Sequence, residues 1–358
     1  MGSKHTIAFE PSPVAFVQIK ERKVGEVQKQ VQRAMDLMSW RDEITGEAMF
    51  LKVNLFSKEV VPGQCTSPWV FEGVLEQIRE QYPKAKVFWG DCDVSTANQL
   101  NDAVKNWGFD RIAKCYDARF INLSKTEGTR ESFGGIFKDI LVPRILLEVT
   151  DIITIPVIKT HCITPFTGAL KNQWGFFPRI RFKFHPMVHR AIAEINAFFP
   201  NLKLGVADLT VAMEGPGPRV GTPKICDAVM ASRDLVALDA AVAEYMGLDP
   251  NQVGFLDCCQ EKGIGSKRYR IAGDPFAPNP FKPGKGKDYL IYRWRDRIKE
   301  IPLLGRLILE NAFPFRFLGF WAVLYYRYFW YSRYGRAYAR SVCQDSLYVR
   351  EFKELIAP

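Results

Sequence analysis

Along the first 250 positions, short β-type runs alternate with stretches of helical spacing. Residues 15–19 (AFVQI) predict a strand, and 25–38 follow with Val27, Val31, Met35 and Met38 on one helical face. Residues 49–55 (MFLKVNL) predict a second strand ending in polar residues, after which Ser67 and Pro68 open a helix to about Gln81. The third strand, 85–93 (AKVFWGDCD), also ends in polar residues, and Ser95 is expected to cap a helix running through Asn106, with Asp93 read either as a metal-binding carboxylate or as a cap of that helix. The alternation continues with 151–159 (DIITIPVIK), a long loop and a helix near 188–199. Strands at 203–212 and 225–232 and a helix at 235–246 complete it. Strands separated by helices predict an α/β fold, a parallel or mixed sheet with crossover helices.

In such sheets ligands bind beyond the carboxyl ends of the strands. That rule selects Lys52 and Asn54, Asp91 and Asp93, Lys159 and His161, and Asp208 and Glu214. The richest of these stretches is 159–175 (KTHCITPFTGALKNQWG), which follows a strongly apolar strand. Lys159, His161, Thr164, Thr167, Lys171 and Asn172 combine two cations, an imidazole and several hydrogen-bonding groups. This mixture suits a phosphate or carboxylate, with His161, Lys159 or Lys171 moving a proton. Gly168 and Gly175 let the backbone approach a ligand. Lys52 and Asn54 lie two apart, on one side of a strand, and are expected to join the substrate site. Asp91, Asp208 and Glu214 are candidate ligands for a divalent cation, with a capped turn as the competing reading of Glu214. His185 and His189, four apart, are a weaker metal pair, and 179–183 (RIRFK) reads either as a positive wall of the pocket or as a solvated face.

Charge separates the last fifth of the chain from the rest. From Lys285 onward there are fourteen Lys/Arg against seven Asp/Glu, out of a total net charge of +10. A positive field of this kind implies an anionic partner surface. Residues 313–334 hold twelve aromatic residues and three arginines with no acid. The uncharged run 317–326 is too short to span a bilayer, which needs about 20 apolar residues. Trp, Tyr and Arg favour the headgroup level, so 301–340 are expected to lie on membrane lipids as an interfacial helix pair. The competing reading is an aromatic tail packed on the body or on a second subunit. The aliphatic residues 301–309 argue against nucleic acid. Residues 1–272 are read as an α/β body, 273–287 as a Pro/Gly linker and 288–358 as the membrane-surface segment. The eight cysteines are scattered and none falls in a C-x-x-C spacing, so no self-contained iron–sulfur or zinc motif is present. With no hydrophobic signal region at the start, a cytoplasmic protein, peripheral on the inner face of a membrane, is expected.

The runs LKVNL, GDCD, IPVIKTH, TGALKNQWG, VADLTVAMEGPGPRVGTP and VMASRDLVALDAAVAEYMG, in this order, resemble the family called domain of unknown function 362 over residues 48–250. Many of its members add a ferredoxin-like domain, whose cysteines this chain lacks. A fainter similarity is to nickel-pincer lactate racemases, in which His161 and Lys171 would match a His and a Gly/Lys element. The expected function is an enzyme acting on an anionic, lipid-linked or free, small molecule by proton transfer or by reduction with external electrons. The alternative is a non-catalytic holder of a cofactor or metal that serves an electron-transfer protein.

Overall fold

A computed structural model describes residues 10–94, 97–177, 179–283 and 312–345. The chain forms a mixed sheet covered by helices on both faces. Its strands are β1 (Ser12–Gln18), β2 (Ala48–Val53), β3 (Lys86–Asp91), β4 (Ala118–Asn122), β7 (Asp151–Ile155), β8 (Val157–Thr160), β9 (Phe166–Thr167), β10 (Leu202–Glu214), β11 (Thr222–Ser232) and β12 (Tyr269–Gly273). Strands β5 (Gly128–Phe133) and β6 (Phe137–Pro143) form a separate antiparallel hairpin. The main order is β12-β1-β11-β10-β7-β2-β3-β4, with β8 beside β10 and β9 beside β8. Pairs β7–β2, β2–β3, β3–β4 and β10–β7 are parallel, whereas β11 runs antiparallel to both β10 and β1.

Parallel strands buried on both faces need apolar side chains pointing both ways, and β7 (DIITI) is buried throughout. On one face α1 (Val24–Leu37) and α2 (Pro68–Gln81) cover Met49, Leu51, Ile153 and Val206, joined by Trp89 and Trp107. On the other face α7 (Val188–Phe198), α8 (Leu235–Tyr245) and α9 (Gly254–Glu261) pack on Phe16, Ala207 and Met230. Short helices α3 (Leu100–Asn106), α4 (Phe109–Cys115), α5 (Arg144–Glu148) and α6 (Ala169–Asn172) complete the body.

Two local expectations are corrected. The helix expected from Ser95 begins at Leu100, because the Asp93 carboxylate accepts the Leu100 N–H at 3.0 Å and sets its first turn. The strand 151–159 is interrupted at Pro156, which has no N–H to give to a neighbour and separates β7 from β8. The Pro156 carbonyl instead accepts the Asp208 N–H.

The C-terminal region is helical: α10 (Ala312–Leu324), a π-helical section Tyr325–Gly335, and α11 (Arg336–Asp345). One side packs on the body, with Tyr326 and Trp330 buried against Val61 and Met213. The Tyr326 hydroxyl bonds the Gln64 side-chain amide at 2.8 Å. The other side presents Phe317, Phe320, Trp321 and Tyr328, all more than half exposed. The reading of this segment as a tail packed on the body describes the side that holds Tyr326 and Trp330. Among the described residues no helix is long and apolar enough to cross a membrane. The apolar run 301–309 and most of the expected linker's second half lie outside the described residues.

Candidate functional site

The carboxyl ends of β2, β3 and β8, together with α6, enclose a cavity of about 380 Å³. Lys52, Asn54, Asp91, Lys159, His161, Thr167, Lys171, Asn172 and Gly175 all line it. Thr164 and Gly168, expected beside them, do not. The Thr164 hydroxyl is donated to the Phe166 carbonyl, and a Cβ at Gly168 would lie 2.2 Å from Asp239 Oδ1.

The three lysines differ in what already occupies them. Lys52 is wholly buried, and its Nζ meets Asp91 Oδ1 at 2.9 Å and the Val53 carbonyl at 2.6 Å. Asp91 Oδ2 accepts the Leu55 N–H and Oδ1 the Cys92 N–H, so the pair is bound into the sheet edge. Lys52 is therefore chiefly a structural cation, locked to its counter-charge. Gly175 abuts the same pair: a Cβ there would lie 2.4 Å from Asp91 Oδ1. Lys159 Nζ donates to Asn54 Oδ1 and the Gln64 carbonyl, each at 2.5 Å, and lies 4.3 Å from the centre of the Phe56 ring. Burial pushes its ammonium down to about 7, opposed by the nearby Cys65 and Asp91. Lys171 is buried too, yet its Nζ has no hydrogen-bond partner among the described residues. Burial lowers its proton affinity well below the ordinary lysine value, and the Lys159 ammonium acts in the same direction.

The backbone beneath Lys171 is fixed from two sides. Asp239, fully buried on α8, accepts the Ala169 and Leu170 N–H groups at 2.6 and 2.9 Å, the first turn of α6. Burial pushes this carboxyl up to about 7. Asn172 donates to the Lys52 carbonyl and to Thr154 Oγ1, both at 2.9 Å, which ties α6 to β2 and β7. His161 Nδ1 accepts the N–H groups of Ile163 and Thr164 at 3.0 and 3.3 Å. A neutral ring held this way carries its proton on Nε2, which makes it a donor rather than a base.

The candidate cation ligands do not converge. Asp208 points to the opposite face of the sheet, where it accepts the Ser67 N–H at the start of α2 and the Thr210 hydroxyl. Burial pushes its carboxyl up. Glu214 accepts the Lys282 N–H and pairs with Lys224, fastening the chain that leaves β12. Among the described residues no group of three His, Cys, Asp or Glu is placed to hold a metal ion. His185 lines the cavity, while His189 stacks on Phe255 instead.

Of the run 179–183, read as a pocket wall or a solvated face, Arg181 is at the wall, whereas Arg219 and the C-terminal residues carry no sequence signal for this cavity. Arg181 reaches the cavity, with its guanidinium held by the Phe177 and Asp93 carbonyls. Arg219, from the loop after β10, places its guanidinium carbon 5.5 Å from the Phe56 ring centre and 5.0 Å from that of Tyr326. Ala322, Tyr325 and Tyr326 bring the C-terminal helix to the cavity wall. Asp239 carried a legible signal, as the lone acid in the apolar run LVALDAAVA.

The chain is 22% identical over 229 residues to a thylakoid-associated protein of Synechocystis sp., covering 61% of this chain and 69% of that one. Among solved structures it is similar to the lactate racemase apoprotein of Thermoanaerobacterium thermosaccharolyticum, at 12% identity and a TM-score of 0.40. The match covers 64% of this chain and 55% of the racemase. A protein of Thermotoga maritima is similar at 14% identity and a TM-score of 0.36, over 55% of this chain and 52% of that one. The model of the family described as Domain of unknown function (DUF362) matches residues 49–244, more than half of the sequence, and this protein belongs to that family.

Proposed function

We propose that this protein is an enzyme working peripherally at a membrane surface, on the inner face, on a small carboxylate or phosphate carried by an apolar tail. The observation that carries this reading is Lys171, a buried amine with no partner among the described residues in a cation-lined cavity. Burying a polar group without a hydrogen bond costs about 1–3 kcal/mol, so such a group is well suited to a ligand that supplies the missing partner. Lys159 and Arg219 add positive charge, and Asp91 is already matched by Lys52. His161 Nε2 and the two lysines supply groups able to move a proton.

The apolar tail is argued from the walls. Phe56, Val94, Trp174, Val220 and Ala322 surround the cationic groups, and Tyr325 comes from the helix whose far side exposes Phe317, Phe320 and Trp321. One helix thus contributes both a cavity wall and an aromatic surface flanked by the exposed Arg327 and Arg333. Such a surface matches the headgroup level of an anionic leaflet. The thylakoid association of one relative supports a membrane setting.

A series of alkyl sulfonates tests both halves of the proposal by calorimetry. If four methylenes of octanesulfonate are buried, it should bind about 3 kcal/mol tighter than methanesulfonate, roughly a hundredfold in Kd. Equal affinities would remove the apolar tail, and no binding by either would remove the anion site.

A further inference from the structure

We propose that Lys171 is an imine-forming residue, whose Nζ condenses with the carbonyl of a small oxo acid while Lys159 and Arg219 hold the carboxylate. The inference rests on the anion-binding reading of the cavity and adds a covalent step to it. Four observations carry it. Lys52 is locked to Asp91 and Lys159 is engaged by two oxygens, whereas Lys171 Nζ is unengaged among the described residues. Its side chain is more than nine-tenths buried and lines the cavity. Its backbone is fixed by Asp239 and Asn172, so the amine is presented from a defined place. Cations line the same cavity, and a lysine desolvated beside another cation is kept in the nucleophilic amine form.

The step balances without an added oxidant or reductant. The Nζ lone pair attacks the carbonyl carbon and gives a carbinolamine. The former carbonyl oxygen then leaves as water with both amine hydrogens, and a C=N bond replaces the C=O bond. His161, whose neutral ring carries its proton on Nε2, is the donor in the cavity suited to assist the departing oxygen. Once protonated, the imine withdraws electrons from the adjacent carbon and favours proton removal or loss of carboxylate there.

The test incubates the full-length protein with glyoxylate and sodium cyanoborohydride at neutral pH, followed by peptide mass mapping. The expected result is a saturable reduced adduct on Lys171, slowed at least tenfold by sulfate and absent in Lys171→Met. Labelling of Lys171 relative to surface lysines should rise as the pH is lowered from 9 to 7, because surface lysines then protonate more completely. This ratio needs no variant, so it stands even if Lys171→Met fails to fold. Glyoxylate that displaces sulfate in calorimetry but labels only surface lysines would overturn the imine and leave the anion site standing. If sulfate and glyoxylate both fail to bind, the anion reading falls with it.

Discussion

Replacing Asp91 by Ala should destabilise the protein by about 3–5 kcal/mol, the range for removing one partner of a buried ion pair. The structure supports that range on two counts. Lys52 is wholly buried, and without Asp91 its Nζ would keep only the Val53 carbonyl at 2.6 Å and Asn172 Oδ1 at 3.3 Å. The Leu55 and Cys92 N–H groups would also lose their acceptor, losses of about 1 kcal/mol each that are part of that range. At about 2–4 °C per kcal/mol, a melting temperature lower by at least about 6 °C follows. Asp91→Asn keeps an acceptor for one N–H and should fall between Ala and the parent. Freed of its counter-charge, Lys52 should also draw sulfate more tightly in Asp91→Asn. Thermal unfolding by circular dichroism and sulfate calorimetry read the two effects. A melting temperature for Asp91→Ala within 2 °C of the parent would refute the idea that Lys52 is a locked structural cation.

Two further outcomes follow from the cavity and the helix above it. Lys159 is held near 7 in the folded protein and at its ordinary value when unfolded. The unfolded chain therefore binds more protons between about 7 and 10.5, so this lysine makes stability rise with pH across that window. An anion favours the ammonium form, so sulfate affinity should be greatest below about pH 7 and fall by up to about tenfold per pH unit above it. A flat profile in calorimetry from pH 6 to 9 contradicts this. Replacing Phe317, Phe320 and Trp321 together by Ser, all three exposed, should leave melting unchanged. It should weaken co-sedimentation with phosphatidylglycerol vesicles about a hundredfold, at about 1 kcal/mol per ring partly inserted. Unaltered sedimentation would detach the aromatic face from membrane binding.

What the sequence revealed was set by local periodicity. The start of α2 at Pro68 and the polar residues at the ends of β2, β3 and β8 are dictated by short runs, and nine expected site residues do share one cavity. Thr164 and Thr167 could not be separated in the sequence, because the first is consumed by a hydrogen bond two residues away and the second is not. Asp208 and Glu214 lie away from a shared cation site for a different reason. Which face of a strand looks into the cavity depends on neighbouring strands, and β10 pairs with β8 and β11 across a register irregularity. Arg219 lies over the rings of Phe56 and Tyr326, which come from elements distant in the chain, a closeness that no spacing rule encodes. The hairpin β5–β6 gave no periodic signal, since its strands are half exposed and mix charged with apolar positions.

The central claim is that Lys171 stands ready for an anionic group in the cavity. Sulfate titrated calorimetrically into the parent protein and into Lys171→Met at pH 6.5 tests it most directly. A hydrogen bond to a charged partner contributes about 1.5–3 kcal/mol, so the variant should bind at least about tenfold more weakly while melting at or above the parent temperature. Equal affinity in a folded variant would contradict the account.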